Sequence, residues 1–222
     1  MNTSKKIYAI YGYGGFAREV MPLLDNDTQH YTSVFVIHKK YMPNSKIING
    51  RDIISFEDFS IMRDYDKHIT IAISDSAKRS FISNEIDKTD IKRANIISKQ
   101  TVVMDNVEMS SGCIICPFVT LTSNIKIGHN FHANIYSYVA HDCIIGDNVT
   151  FAPSVKCNGN VIIEDNVFIG TGAIIKQGKK DNPIVLGANS TISAGSFVTK
   201  SVKESTTVFG NPAKILNKSS FK

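Results

Sequence analysis

The chain has 222 residues, 42% of them apolar and 20% charged, and a formal net charge of +5. This is globular composition with room for a core, in one domain or two. Lys and Arg are dispersed, which excludes a nucleic-acid footprint and leaves either plain solvated surface or attraction of a polyanionic small molecule, a nucleotide or coenzyme A.

Lys5 and Lys6 lead into a strand rather than the apolar region of a secretory signal. No run approaches the length of a membrane span, so the expected location is cytoplasmic, with no membrane insertion. Residues 5–11 read as a buried strand, and Gly12-Tyr-Gly14-Gly15-Phe16-Ala17 leads from it into a helix through Leu24. This G-x-G-x-x-A turn lets backbone approach a phosphate at a helix N-terminus; a tight turn without a ligand is the plainer reading. The second strand, Ser33–Ile37, runs into His38-Lys39-Lys40, where a nicotinamide site needs an acid for the ribose. Nicotinamide chemistry is therefore disfavoured, and His38 is either a loop residue or a ligand contact. Phe56–Phe59 marks a short helix. A third strand, His68–Ile73, precedes Ser74-Asp75-Ser76 and a helix near Ala77–Ile86. Ala94–Ile97 reads as a fourth strand. Residues 1–93 are thus predicted to form a small Rossmann-like α/β domain with a parallel sheet. Its ligand site is expected at the carboxyl ends of strands one to three.

From residue 94 to 222 a different rule governs. Ile97, Val103, Met109, Ile115, Leu121, Ile127, Ala133, Val139, Ile145, Phe151, Cys157, Ile163, Ile169 and Ile175 fall on one phase of six. Four positions after most of them comes a small or β-branched residue, such as Cys143, Val149 or Val155, and the next position is often small, as at Gly128, Gly146 and Gly170. That period fits neither a helix nor an alternating strand. It is the repeat of a parallel β-helix, about 18 residues per triangular coil, in which coils stack to bury what one coil cannot. The phase slips after Ile175, so Gln177–Pro183 is predicted to be a loop thrown out of the coil. Lys176, Lys179 and Lys180 either meet phosphates there or solvate the loop.

Within the repeat, Tyr136-Ser-Tyr-Val-Ala-His141-Asp142-Cys143 breaks the pattern. An outward His141 beside a carboxylate is a candidate general base. One coil onward lies Gly159, expected to leave room for an acyl group and a free N–H to polarise its carbonyl. A plain surface histidine is the competing reading. His129 and His132 have no evident third ligand, so no metal is expected. Cys113, Cys143 and Cys157 fill repeat positions as small hydrophobes, which explains these three better than a redox or zinc reading of the Cys113-x-x-Cys116 pair.

Hexads, the His141-Asp142 corner, the terminal Gly210-Asn-Pro-Ala-Lys214 and the Gly12–Arg18 loop together make the whole chain resemble the left-handed β-helix sugar acetyltransferases. The type is that of sialic acid O-acetyltransferases and bacillosamine-pathway nucleotide-sugar N-acetyltransferases. The resemblance implies a left-handed β-helix, a homotrimer with sites between subunits, and acetyl-CoA as donor. It implies N-acetylation of a nucleotide-linked amino sugar, a 4-amino-4,6-dideoxy sugar in glycan or O-antigen synthesis. Sugar O-acetylation and a non-catalytic nucleotide-sugar-binding module remain as alternatives. It implies His141 as base and Asp142 as its partner. The nucleotide sugar would lie on Gly12, Gly14, Gly15, Phe16, Ile37, His38, Ser74 and Asn134. Acetyl-CoA would run along Gly159, Gly170, Gly172, Lys176, Gly187 and Ala188 to Pro212 and Lys214. Three positions depart from the family: Ile37 and His38 replace acids, and Thr150 replaces a second histidine near the thioester.

Overall fold

A computed structural model describes residues 5–24 and 31–216. The chain divides into two compact units, Met1–Ile96 and Ile97–Lys222. The division falls just beyond residue 93 because Ala94 stays with the first sheet: its N–H donates to the Ile69 carbonyl and its own carbonyl accepts Thr70 Oγ1 at 2.6 Å.

The first unit runs β1 (Lys5–Tyr11), α1 (Gly15–Leu24), β2 (Tyr31–Ile37), β3 (Ile47–Ile48), β4 (Arg51–Ser55), α2 (Phe56–Ile61), β5 (Tyr65–Ile71), α3 (Ser76–Ile86) and β6 (Lys92–Arg93). Its sheet has the order β3-β4-β2-β1-β5-β6, parallel except for β3 against β4. Central strands of such a sheet are buried on both faces, and Ile10, Phe35, Val36 and Ile69 are completely so. Ser55 and Asp75 cap α2 and α3 by accepting the amides of Asp58 and Lys78, supplying partners for orphan N–H groups.

Two strand predictions need correction. The third strand is Tyr65–Ile71, starting and ending earlier than His68–Ile73. Of the expected fourth strand, Ala94–Ile97, only Ile96–Ile97 is a strand, and it joins a sheet of the second unit, while β6 lies just before the predicted residues. The hairpin of β3 and β4 was not foreseen, although Asn49-Gly50 at its tip, φ 49° and 74°, is a strong hairpin signal.

The second unit is a left-handed parallel β-helix, with parallel sheets of eight, six and five strands on three faces; one terminal strand, Lys214–Ile215, runs antiparallel. Partners are one coil apart, as in Thr120 with Tyr138 and Tyr138 with Lys156. The stacked phase from Leu121 to Ile175 is at most 4% exposed throughout. In the first coil, Ile97 and Val103 keep the phase but stand 44% and 47% exposed, since a terminal coil has a coil neighbour on one side only. The corners are equally periodic. Every sixth residue from Asn106 to Gly172 has positive φ, and the ten that are not glycine lie between 55° and 63°. Asn and Asp tolerate this left-handed conformation best among side-chain-bearing residues, which accounts for the recurrent Asn of this half. The Gln177–Pro183 loop is present, closed by a bridge between Lys179 and Asn182. Ladder partner Ile163 then pairs with Leu186 rather than a residue one coil on.

Small residues after the apolar phase have a packing cause. A Cβ on Gly146 would lie 2.9 Å from the Asp165 backbone N of the next coil. Gly146→Ala should therefore lower unfolding free energy by about 1–3 kcal/mol, measured by chemical denaturation. Gly172→Asn, at an open left-handed corner with φ +70°, should cost far less.

Candidate active site

The left-handed corner at Asp142, φ 59°, follows directly on His141. Asp142 Oδ2 lies 2.7 Å from His141 Nδ1, and both side chains are about half exposed, 47% and 49%. The His141 bond is the main force holding the Asp142 carboxyl below its ordinary range, with further help from a hydrogen bond of Asn124 and the charge of Lys180. An ionised carboxylate only accepts, so Nδ1 carries the proton and, in the neutral ring, Nε2 presents a lone pair.

Gly159 stands against that ring. A Cβ there would fall 2.6 Å from Nε2 and Cε1 of His141. The space left by the absent side chain is therefore filled by the imidazole itself, not kept for an acyl group as expected. The glycine is needed for the ring to lean over the next coil. Among the described residues no acceptor is paired with the Gly159 N–H. Cys143 points inward, fully buried, with Sγ near the Asn158 carbonyl at 3.3 Å.

The coenzyme residues named from the resemblance are spread along later coils. Gly170 and Gly187 have packing roles: their Cβ atoms would lie 2.9 Å from the Cα atoms of Ala194 and Glu204 and closer still to their backbone nitrogens, and their N–H groups donate to Ile192 and Val202. The Ala188 amide donates to Glu164 Oε2. Gly172 is at an open corner and Lys176 is exposed. Pro212 and Lys214 line a cavity of about 330 Å³ with Phe209 and Leu216. The structure brings none of these into the His141–Asp142–Gly159 cluster.

In the first unit a cavity of about 640 Å³ opens at the carboxyl ends of β1, β2 and β5, where the topology calls for one. Ile37 and His38 line it, as predicted, with Tyr11, Tyr41, Lys78 and Phe81. Burial pushes the Tyr11 phenol up to about 12, so it stays neutral. His38 Nδ1 faces Glu57 Oε1 at 3.2 Å. Lys78 and Phe81 were missed, although α3 places 77/81 and 78/82 at i, i+4 on one face. Gly12 serves the fold: its φ is +110°, its N–H donates to Val36, and a Cβ would meet the Ala72 carbonyl at 3.3 Å. Gly14 and Gly15 are exposed, with nothing within 4 Å of a Cβ, and Phe16 is half-buried. Ser74 is exposed and its carbonyl accepts from the buried Arg79. Asn134 belongs to the second unit, its Oδ1 taking the Ile135 amide.

His129 bonds Ser111 while His132 is buried, and no group of three or more His, Cys, Asp and Glu is arranged for a metal among the described residues. None of the described helices is long and apolar enough to cross a membrane.

Residues 124–159 match the bacterial transferase hexapeptide family and 160–200 the hexapeptide repeat of succinyl-transferase. Over 96% of this chain and 97% of the relative, the sequence is 43% identical to GDP-perosamine N-acetyltransferase of Escherichia coli O157:H7. The chain belongs to the hexapeptide-repeat acetyltransferases. Among solved structures of this acetyltransferase family, WeeI from Acinetobacter baumannii is 45% identical with a TM-score of 0.90, covering 95% of this chain and all of that one. PerB from Caulobacter crescentus, solved with CoA and GDP-perosamine, shares the fold at 22% identity and a TM-score of 0.83, over 95% of this chain and 97% of its own.

Because the His141 bond is the first cause of the lowered Asp142 carboxyl, His141→Ala should raise it towards the ordinary carboxylate range. Carboxyl-carbon NMR titration of wild type and variant measures this.

Proposed function

We propose that this acetyltransferase moves the acetyl group of acetyl-CoA to the amine of a nucleotide-linked 4-amino-4,6-dideoxy sugar. GDP-perosamine, the sugar nucleotide named for the 43% identical relative, is the first acceptor to test. The observation that carries the reading is the exposed His141–Asp142 pair at 2.7 Å, in a chain related along almost its whole length to an N-acetyltransferase.

The sugar amine attacks the thioester carbonyl carbon; a C–N bond forms and the C–S bond breaks. His141 Nε2 takes the proton that the amine loses, and that proton passes on to the departing coenzyme sulfur, which leaves as the thiol and frees the imidazole. Asp142 holds the ring with Nδ1–H towards itself and offsets the imidazolium charge. The Gly159 N–H is a donor for the oxygen that becomes negative. The nucleotide lies in the cavity of residues 1–93, with Gly14 and Gly15 open to its phosphates and Lys78 adding charge. Acetyl-CoA extends along Gly172 and Lys176 to Pro212 and Lys214.

We further propose a homotrimer. Phe118 and Tyr136 stack at 5.1 Å on one corner of the β-helix while remaining 49% and 60% exposed, and Met104 and Ile144 are 53% and 48% exposed. Apolar surface of this kind supports contact with another chain. A cytoplasmic setting fits an acetyl-CoA-dependent enzyme.

Turnover of acetyl-CoA with GDP-perosamine, against UDP- and dTDP-linked amino sugars, tests the acceptor; no turnover with any amino sugar refutes the N-acetyl reading. His141→Ala should keep the fold and lose about 10²–10⁴ in kcat. With an amine acceptor that loss shrinks as pH rises, because a neutral amine attacks before losing its proton; with a hydroxyl acceptor it persists. Light scattering should give three times the 24.5 kDa chain mass, and a monomer at micromolar concentration sinks the trimer.

A further inference from the structure

We propose that Asn124, backed by Asn106, is a positioning residue for the His141–Asp142 pair, the end of a hydrogen-bonded file of side chains that clamps the Asp142 carboxylate against the imidazole. The proposal rests on the reading of His141 as the base.

The file runs along one corner of the β-helix, one residue per coil. Asn106 Nδ2 donates to Asn124 Oδ1 at 3.0 Å, and Asn124 Nδ2 donates to Asp142 Oδ1 at 3.2 Å, each step spanning 18 residues. Oδ2 of the same carboxylate meets His141 Nδ1 at 2.7 Å. All three corner residues are left-handed, with φ of 56°, 58° and 59°, so successive coils present their side chains in one orientation.

The left-handed corner alone explains why Asn is used; it does not explain the direction of the file. An ionised carboxylate is acceptor-only, so it fixes which end of the Asn124 amide it meets. That leaves Asn124 Oδ1 facing back, where it takes the Asn106 amide. Both dipoles therefore point at Asp142, and hydrogen bonds in series polarise one another. A second corner gives the contrast. There Asn130 Nδ2 donates to Asn148 Oδ1 at 3.1 Å, amide to amide and buried. At the Asp142 corner one oxygen is taken by the amide file and the other is left for the imidazole. The carboxylate then has little freedom to rotate away. The other charged or titratable groups acting on Asp142 are His141, Lys180 and, behind it in the core, Cys143.

Two variants and a control test this through the pH dependence of turnover. Asn124→Gly keeps the left-handed corner at no steric cost and removes the clamp. Its kcat should fall about tenfold, the scale of one charge-assisted hydrogen bond, with KM for acetyl-CoA unchanged. Asn124→Asp keeps the shape but replaces the donor to Asp142 by an acceptor. Two carboxylates so close cannot both ionise and instead share a proton, so the charge facing the imidazole changes and the acid limb of kcat/KM should move by about half a pH unit from its wild-type place. Asn130→Gly breaks a rung at the other corner and should lower the melting temperature while leaving the acid limb in place. An acid limb unchanged in Asn124→Asp overturns the proposal, as does wild-type kcat in folded Asn124→Gly. Should the glycine variant not fold, the aspartate variant decides. Wild-type kcat in His141→Ala is a different failure: it removes the base, and the clamp with it.

Discussion

Coil-on-coil stacking is the constraint on which the second unit depends. Each strand is two or three residues long, far too short to be stable alone, and gains its hydrogen bonds from the coils before and after it. Stacking at strand separation forbids a Cβ wherever a corner touches the backbone of the next coil, as at Gly128, Gly146, Gly170 and Gly187. It also demands a left-handed residue at each turn. Hydrophobic burial follows from the same geometry: branched side chains and Cys157 fill an interior that a single coil leaves open.

The His141 corner uses these rules and departs from them in three places. Asp replaces Asn at the corner at 142, placing a carboxylate where the fold ordinarily needs only a residue that tolerates positive φ. His occupies the position before it, outside the coil, so it is held without being buried. Gly takes the position one coil on, so the imidazole lies over backbone. A rigid scaffold thus holds an exposed imidazole in one orientation, which is what the proposed proton transfer in a fixed geometry needs.

In the first unit the cavity arises from topology instead. Parallel strands end together, and the segments leaving β1, β2 and β5 diverge around the gap between Tyr11, His38 and Phe81. The glycines of the first turn divide the work. Gly12 is committed to the sheet, while Gly14 and Gly15 leave a helix N-terminus uncovered.

The β-helix was legible in the sequence because its rule is local and repeated. Past the first coil a phase of six names the buried residues, the loop after Ile175 and, up to that loop, the partner one coil away, so Gly159 was placed beside His141 by counting. Pairing of His141 with Asp142 was legible for the same reason: they are neighbours on a corner. Tertiary structure alone decided the rest. Counting could not tell that the imidazole fills the space beside Gly159, because that depends on a side-chain rotamer. Nor could it tell that Gly170 and Gly187 are small for packing, or that the amides of Asn106 and Asn124 line up on Asp142. The cavity of the first unit was located by the general rule for parallel sheets. Its walls at Tyr11, Tyr41, Lys78 and Phe81 come from elements distant in sequence, and only the packed sheet and helix bring them together.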